Sequence, residues 1–502
     1  MLEKNNSDKK FLITSRLKEL PEKEDLLFAG SWCLDDEIRN NTSTINYQVH
    51  NHRWGNIENR ITDSLVVSEI YEEILIDLSI YLNGYHNLSW SVRSWRIFVG
   101  PWLQKYITII HDRWKTIEEL ESKYNVHETY IGVESSNSFK TSSYLDLSKK
   151  CKTVTWNKLL FDKILIYRGN ISLTRQVVKL KEAPVKFLSL KSRKTFKSLA
   201  KCLIKRVISS NITLKFLQLC KRNDKLAMVQ VYMSTKDWLF LKLRSRSIPL
   251  PDNIYIDPST LSRIKEASDS RISEKYTDHS FKAFLYGDLL VNLPDIYLSD
   301  LEKLNNICRS SNIPTNPRYI LTSISCWHNE LFKFWTASRV DKGSYLVNLQ
   351  HGGEYGTAFI SFFEEHERMV SDKYLVWGWG SKHRKEFNIP ITICNSKSIQ
   401  ITNSCNEILV VCNQFNASDY LTQMHSAAYY GDKNIEYINT MNKLLEKLSH
   451  LDDINITLRL FPGDKSLPDK LKWVDSTSNI AICREQYFAD SLRKSLLVIN
   501  TY

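Results

Sequence analysis

Apolar positions along the chain follow two periods. Near the start, "FLIT" (Phe11–Thr14) and "DLLFAGSWCL" (Asp25–Leu34) are short runs, the second broken by Gly30 and Ser31. Each reads as a strand running into a loop. From Asp63 to Leu82 the spacing changes: Leu65, Ile70, Ile74, Leu78 and Leu82 recur as on a helix face. A second helix is predicted over Leu88–Trp114, with a kink or restart at "VGPW" (Val99–Trp102), because proline removes a helix hydrogen bond. The stretch from Thr153 to Thr277 mixes short apolar runs with a basic segment. Within it, Leu190–Ile208 sets Phe196, Leu199, Ala200, Leu203 and Val207 on one helical face and lysines and arginines on the others.

From Arg318 strand and helix patterns alternate. Strands are predicted at "RYILTSIS", "SYLVNLQ", "DKYLVWGWG", "EILVVCNQ", "INITLRL", "NIAIC" and "SLLVINTY". Helices fall at "NELFKFWTASRV", "YINTMNKLLEKLSHL" and "QYFADSLRK". Such alternation means βα units and parallel sheets. A boundary is expected near Gly380–Ser396, giving an α/β domain over 1–385, with a helical and basic insertion at about 150–290, and a Rossmann-like domain over 386–502. The two would face each other across a cleft.

Composition narrows the class. Hydrophobic residues make up 42% and charged residues 25%, the balance of a globular protein. No apolar run reaches the roughly 18 residues of a membrane span. The polar start "MLEKNNSDKK" lacks a signal-peptide core, so a cytoplasmic location is expected. Ten scattered cysteines form no CxxC pair, which favours reduced thiols over zinc or disulfides. The net charge of +12 suggests an anionic partner, and ten Lys/Arg stand against one acid, Glu182, between Lys179 and Arg206. No helix-turn-helix, RRM or zinc pattern accompanies that segment, so nucleic acid is not the expected partner.

The densest chemistry lies in "LVNLQHGGEYGTAF" (Leu346–Phe359), where three of the 15 glycines fall within five positions. Gln350, His351, Gly352, Gly353, Tyr355 and Gly356 follow a strand, and open α/β sheets bind ligands at strand ends. A tight turn accounts for the same residues. Downstream, Glu364, Glu365, His366 and Glu367 cluster, with Glu364 and Glu367 on one helix face. Their alternative is a solvated charged turn. Asn413, Gln414 and Asn416 end a strand before a helix that Ser418 could cap, a phosphate-binding arrangement. Arg459 ends another strand before Pro462 and suits a phosphate, or simply the surface.

The run Q-H-G-G-x-Y-G, then E-x-H-E, then S-D-x-Y-x-x-W-G-W, resembles a family of transferases encoded in bacterial surface-polysaccharide loci. "LLFAGSWCL", "WRIFVGPWL" and "RLFPGD" share the resemblance, which fades between about Lys149 and Leu290. One departure is "HNHRWGNIENR" (His50–Arg60), where the family tends to carry a Pro-Trp-Asp-Asp-Arg-like stretch. The family is distantly similar to GT-B glycosyltransferases that use CMP-activated sugars, such as those building Kdo linkages. By motif the resemblance marks Gln350, His351, Gly352, Gly353, Tyr355, Gly356, Glu364, His366, Glu367 and Asp372.

It implies transfer of a sugar from a nucleotide-sugar donor to a polysaccharide or lipid-linked glycan acceptor, with no further cofactor. The expected roles are Glu364 or Glu367 as base, with His366 in the same cluster, and His351 near the donor. Gln350, Asn413, Gln414, Arg459 and loop N–H groups would hold the nucleotide. No Asp-x-Asp occurs, so no metal is expected. Polyol-phosphate transfer and a non-enzymatic binding protein are the alternatives. A lipid-linked acceptor would bring Leu190–Ile208 against anionic lipid at the inner face of the cytoplasmic membrane. "SLLVINTY" reads as a parallel strand needing further cover, so the second domain is expected to be incomplete, with exposed apolar surface near Leu496–Ile499.

Overall fold

A computed structural model describes residues 9–23, 25–34, 38, 46–133, 139–181, 220–254, 279–380, 385–392, 406–413, 420, 433–451, 453–461, 467, 471, 479–485 and 487–501. Leu190–Ile208, Gln414, Asn416, Ser418 and Pro462 lie outside the described residues. Among the described residues the fold is α/β, with three all-parallel sheets.

The first sheet holds β1 (Lys10–Ile13), β2 (Leu26–Phe28), β3 (Tyr47–Val49), β4 (Val126–Val133) and β5 (Ser172–Val178), in the order β3-β2-β1-β4-β5. Between β3 and β4 run two long helices, α1 (Ile57–His86) and α2 (Val92–Lys123). Asn56 caps α1 by accepting from the N–H groups of Glu58 and Asn59, and Ser91 caps α2. Helices α3 (Tyr144–Lys150) and α4 (Val154–Arg168) lead into β5.

Helix α2 is buried on nearly every side from Ser94 to Ile117, which marks it as a core helix. It runs through Pro101 as one helix, contrary to the interruption predicted there. Proline in a helix interior costs about 3 kcal/mol. Packing against α1 and against helices of the next unit offsets that cost. At Gly100 an added Cβ would lie 2.7 Å from the Tyr71 hydroxyl and 3.2 Å from the His366 ring, so only glycine permits this close crossing.

The second sheet holds β6 (Leu226–Val229), β7 (Tyr319–Thr322), β8 (Tyr345–Leu349), β9 (Lys373–Val376) and β10 (Glu386–Asn388), ordered across the sheet as along the chain. Between β6 and β7 come α5 (Thr235–Arg244), α6 (Phe281–Asn292) and α7 (Leu301–Ser310). Helices α8 (Ser325–His328) and α9 (Glu330–Val340) follow β7, and α10 (Phe362–Val370) follows β8. Helices α8, α9 and α10 all touch α2, so the first two sheets share one continuous apolar core. Arg93 of α2 donates to the Val370 carbonyl and to Asp372, which also accepts the Leu346 N–H at 2.8 Å. Asp372 therefore ties α2 to the start of β8.

The third sheet holds β11 (Glu407–Val411), β12 (Asn455–Arg459), β13 (Ile480–Ile482) and β14 (Ser495–Asn500), in the order β13-β12-β11-β14. Helix α11 (Lys433–Ser449) precedes β12 and α12 (Phe488–Lys494) precedes β14. This unit has its own apolar core. Tyr420 is a separate case: it is buried in the shared core of the first two sheets, beside Trp32. β14 pairs with β11, and Leu496, Leu497 and Val498 are exposed.

Among the described residues, no helix is long and apolar enough to cross a membrane. The segment His50–Arg60 does structural work. His52 Nε2 lies 3.0 Å from Asp112, Arg53 bridges Asp63 and Glu119, and the Trp54 indole donates to Asp63 at 2.7 Å.

Candidate active site at the end of the second sheet

Strand β8 ends at Leu349, and the next residue stitches two strand ends together. The Gln350 N–H donates to the Leu375 carbonyl. Its side-chain oxygen accepts from the Trp377 N–H and the Trp379 indole, both at 2.8 Å, and its amide nitrogen donates to the Gly352 carbonyl. Gln350 thus shapes the loop from inside it.

The glycines have separate reasons. Gly356 has φ +78°, and an added Cβ would lie 2.4 Å from the Trp379 ring. Both conformation and space demand glycine there. Gly352 leaves 3.3 Å to the Tyr355 ring, and Gly353 faces open space. Glu364, the third residue of α10, accepts the Gly356 N–H at 2.9 Å and an Arg368 guanidinium N–H at 3.2 Å. Arg368 also donates to the buried Glu386. Glu364 is therefore a brace that fixes the loop to α10.

Three residues later on the same face, Glu367 is completely buried. Its carboxyl faces the Trp327 indole N–H at 2.9 Å, the Tyr374 hydroxyl at 3.1 Å and the Tyr355 hydroxyl at 3.4 Å. Burial raises its pKa to about 8 despite these three donors. The Tyr355 hydroxyl lies 3.1 Å from His351 Nε2. His351 is part-exposed on the loop, and desolvation, with the nearby His328, lowers its pKa to about 4. At neutral pH the carboxyl keeps its proton and the imidazole is neutral.

These groups form a chain from a sealed carboxyl, through a phenol, to an imidazole at the open side. Glu367 to Tyr355 is its long link at 3.4 Å, beyond an ordinary O–H···O bond. The chain connects the part-exposed imidazole to the sealed carboxyl.

His366 points elsewhere. It is buried against Gly100 and the Trp327 ring, and neither ring nitrogen has a partner among the described residues. Burial, then Arg96 and Lys333, hold its pKa well below the ordinary value. It packs α10 onto α2.

Asn413 and Arg459 belong to the third sheet. Asn413 follows β11, beside the point where the order reverses between β11 and β14, and its N–H donates to Tyr437 and Thr501. Arg459 donates to the Glu485 carbonyl at 3.2 Å and to Ser491 at 2.9 Å.

Trp327, His328, Tyr374 and Trp379 surround the loop; the motif S-D-x-Y-x-x-W-G-W includes Tyr374 and Trp379, but sequence reading gave none of the four a role. The signal was available for two: "SCWHN" directly follows β7, which pairs in parallel with β8, so both strand ends meet. Among the described residues, no three His, Cys, Asp or Glu side chains gather as a metal site.

Two comparisons bear on identity. A family model described as LIC12162 family transferase matches residues 10–502. No curated protein matches the chain.

Proposed function

The chain belongs to the LIC12162 family of transferases, and from that premise we propose that it moves a sugar from a nucleotide-activated donor to a glycan acceptor. The observation that carries the reading is the neutral His351 imidazole at the end of β8, linked through Tyr355 to the sealed Glu367.

A neutral imidazole in a cleft can accept a proton at physiological pH. An acceptor hydroxyl attacks the anomeric carbon through an oxocarbenium-like transition state. The new C–O bond forms as the bond to the donor phosphate breaks, and that electron pair leaves on the phosphate. The hydroxyl proton passes to His351. The receiving nitrogen is Nε2, beside the Tyr355 hydroxyl, because Nδ1 is buried. Glu367 is sealed and Glu364 braces Gly356, so the base role falls to His351.

The donor side of the proposal lies at the ends of β11 and β12, with Asn413 at the order reversal and Arg459 beside it. Together with the second sheet this would make a GT-B arrangement, with the acceptor on the 1–385 side. A CMP-linked sugar is the proposed donor and a surface-polysaccharide or lipid-linked glycan the acceptor. A lipid-linked acceptor would bring the enzyme to the inner face of the cytoplasmic membrane, with the basic segment Leu190–Ile208 toward the lipid.

The test is nucleotide release from CMP-, UDP-, GDP- and dTDP-sugars with a glycan acceptor. Release of CMP with a lengthened glycan supports the reading. Transfer of a polyol phosphate instead replaces it with the alternative chemistry.

A further inference from the structure

Helix α5 carries apolar residues on both of its sides. Its inner side holds Trp238, Leu241 and Lys242, and the two apolar residues pack on the cluster that includes Leu226 and Met228 of β6. Lys242 is fully buried, pairs with Asp252 at 2.7 Å and donates to the Leu226 carbonyl. Ser234 caps the helix by accepting the Asp237 N–H. These contacts fix the rotation of α5 about its axis, so its outer side is set.

That outer side reads Lys236, Leu239, Phe240, Leu243 and Arg244, the i, i+3, i+4, i+7 and i+8 positions of one helix face. Leu239 is 41%, Phe240 64% and Leu243 59% exposed. Single exposed apolar residues are ordinary, but a stripe of them on one face marks an interaction surface. The exposed Tyr232 stands just before the helix. Its N–H donates to Ser323 Oγ at 3.0 Å, and its carbonyl accepts from Thr392 Oγ1 at 2.6 Å, next to the exposed Ile391. The Tyr232 ring meets the His351 ring edge-on, with 6.1 Å between centres. The apolar surface therefore runs from the His351 loop along α5.

Cations bracket the stripe: Lys236 at its start, Arg244 and Arg246 at its end, all exposed. The one acid of α5, Asp237, is bonded to the Ser234 hydroxyl at 2.6 Å. A second copy packed here about a two-fold axis would set these cations against one another. An anionic lipid surface supplies both things the face lacks, apolar depth for the stripe and phosphates level with the helix ends. We propose that α5 lies flat on anionic lipid, with Leu239, Phe240 and Leu243 among the acyl chains and Lys236, Arg244 and Arg246 at the head groups. This contact is separate in sequence from Leu190–Ile208. Its use in presenting a lipid-linked acceptor to His351 rests on the proposed function; lipid binding itself does not.

The experiment is flotation of the full chain with vesicles of phosphatidylcholine alone and of phosphatidylcholine and phosphatidylglycerol in equal parts. The proteins are wild type, Leu239→Ser/Phe240→Ser/Leu243→Ser and Lys236→Gln/Arg244→Gln/Arg246→Gln. Wild type should float with the anionic vesicles, less at high salt, and not with phosphatidylcholine alone. Each cation near such a surface contributes about fivefold to partitioning, so the glutamine variant should partition at least about 25-fold more weakly. The serine variant should weaken at least about 10-fold. Both should keep the wild-type melting temperature, because the replaced side chains are exposed, and the glutamine variant keeps the test open if the serine variant does not fold. No sugar donor or acceptor enters the assay, so its outcome is independent of sugar transfer. Wild type that ignores anionic lipid, or either folded variant partitioning as wild type does, overturns the proposal. A wild-type dimer in sedimentation that the serine variant makes monomeric overturns it in favour of a second copy.

Discussion

Replacing Glu367 with Gln distinguishes two opposite accounts of the buried carboxyl by the sign of the stability change. An unfolded glutamate loses its proton near 4.5, while burial keeps the native carboxyl protonated to about 8. Between those values the native state binds more protons than the unfolded state. Stability therefore falls as pH rises through that window and levels off above about 8. The window spans about 3.5 pH units at about 1.4 kcal/mol each, so at most about 5 kcal/mol is lost.

The Gln amide is uncharged at every pH and can replace the carboxyl contacts. Its oxygen can take the Trp327 indole, and its NH2 can reach the Tyr374 oxygen, which then accepts. Glu367→Gln should match wild type near pH 5 and exceed it by several kcal/mol near pH 8. The assay is urea unfolding at each pH from 5 to 9, with m-values compared to confirm the same transition. If the three donors instead stabilise a carboxylate, each charge-assisted bond is worth about 1.5–3 kcal/mol and the variant is weaker at pH 8. A destabilised Glu367→Gln at pH 8 refutes the reasoning.

Gly356→Ala should cost about 2–4 kcal/mol in unfolding free energy, from the left-handed backbone and the clash with Trp379; a loss below about 0.5 kcal/mol would contradict the loop geometry. Tyr355→Phe should lower kcat with little change in KM and an unchanged circular dichroism spectrum, since it breaks the link between His351 and Glu367; an unchanged kcat removes the relay. Asp372→Ala should lower stability by about 1–3 kcal/mol by removing the Arg93 ion pair and leaving the Leu346 N–H without its acceptor, read by denaturant unfolding.

The elements after Arg318 were legible because short apolar runs alternate there with helical spacing, as at "SYLVNLQ" and "NELFKFWTASRV". The first sheet was only half legible. β1 and β2 are short apolar runs, but β3 (Tyr47–Val49) is partly polar, and β4 carries His127, Glu128 and Thr129 within it. Pro101 misled because a local penalty was weighed without the packing that surrounds α2. Around the loop, residue types alone could not tell Glu364 from Glu367. They share a helix face, yet one accepts a loop N–H and the other is enclosed by Trp327, Tyr355 and Tyr374. His366 sits between two acids in the chain, and the helix turns it toward Gly100 instead. Those differences come from what lies across the core, and the neighbouring sequence does not carry them.

The central claim is sugar transfer with His351 as the group that takes the acceptor proton. Its most direct measurement is the rate of nucleotide release and glycan extension with the preferred nucleotide-sugar, for wild type and His351→Ala side by side. The account predicts a lengthened glycan from wild type and a rate at least about 100-fold lower from His351→Ala, the scale of a lost general base, with the melting temperature retained. Equal rates in the two proteins, or nucleotide release that leaves the glycan unextended, would contradict it.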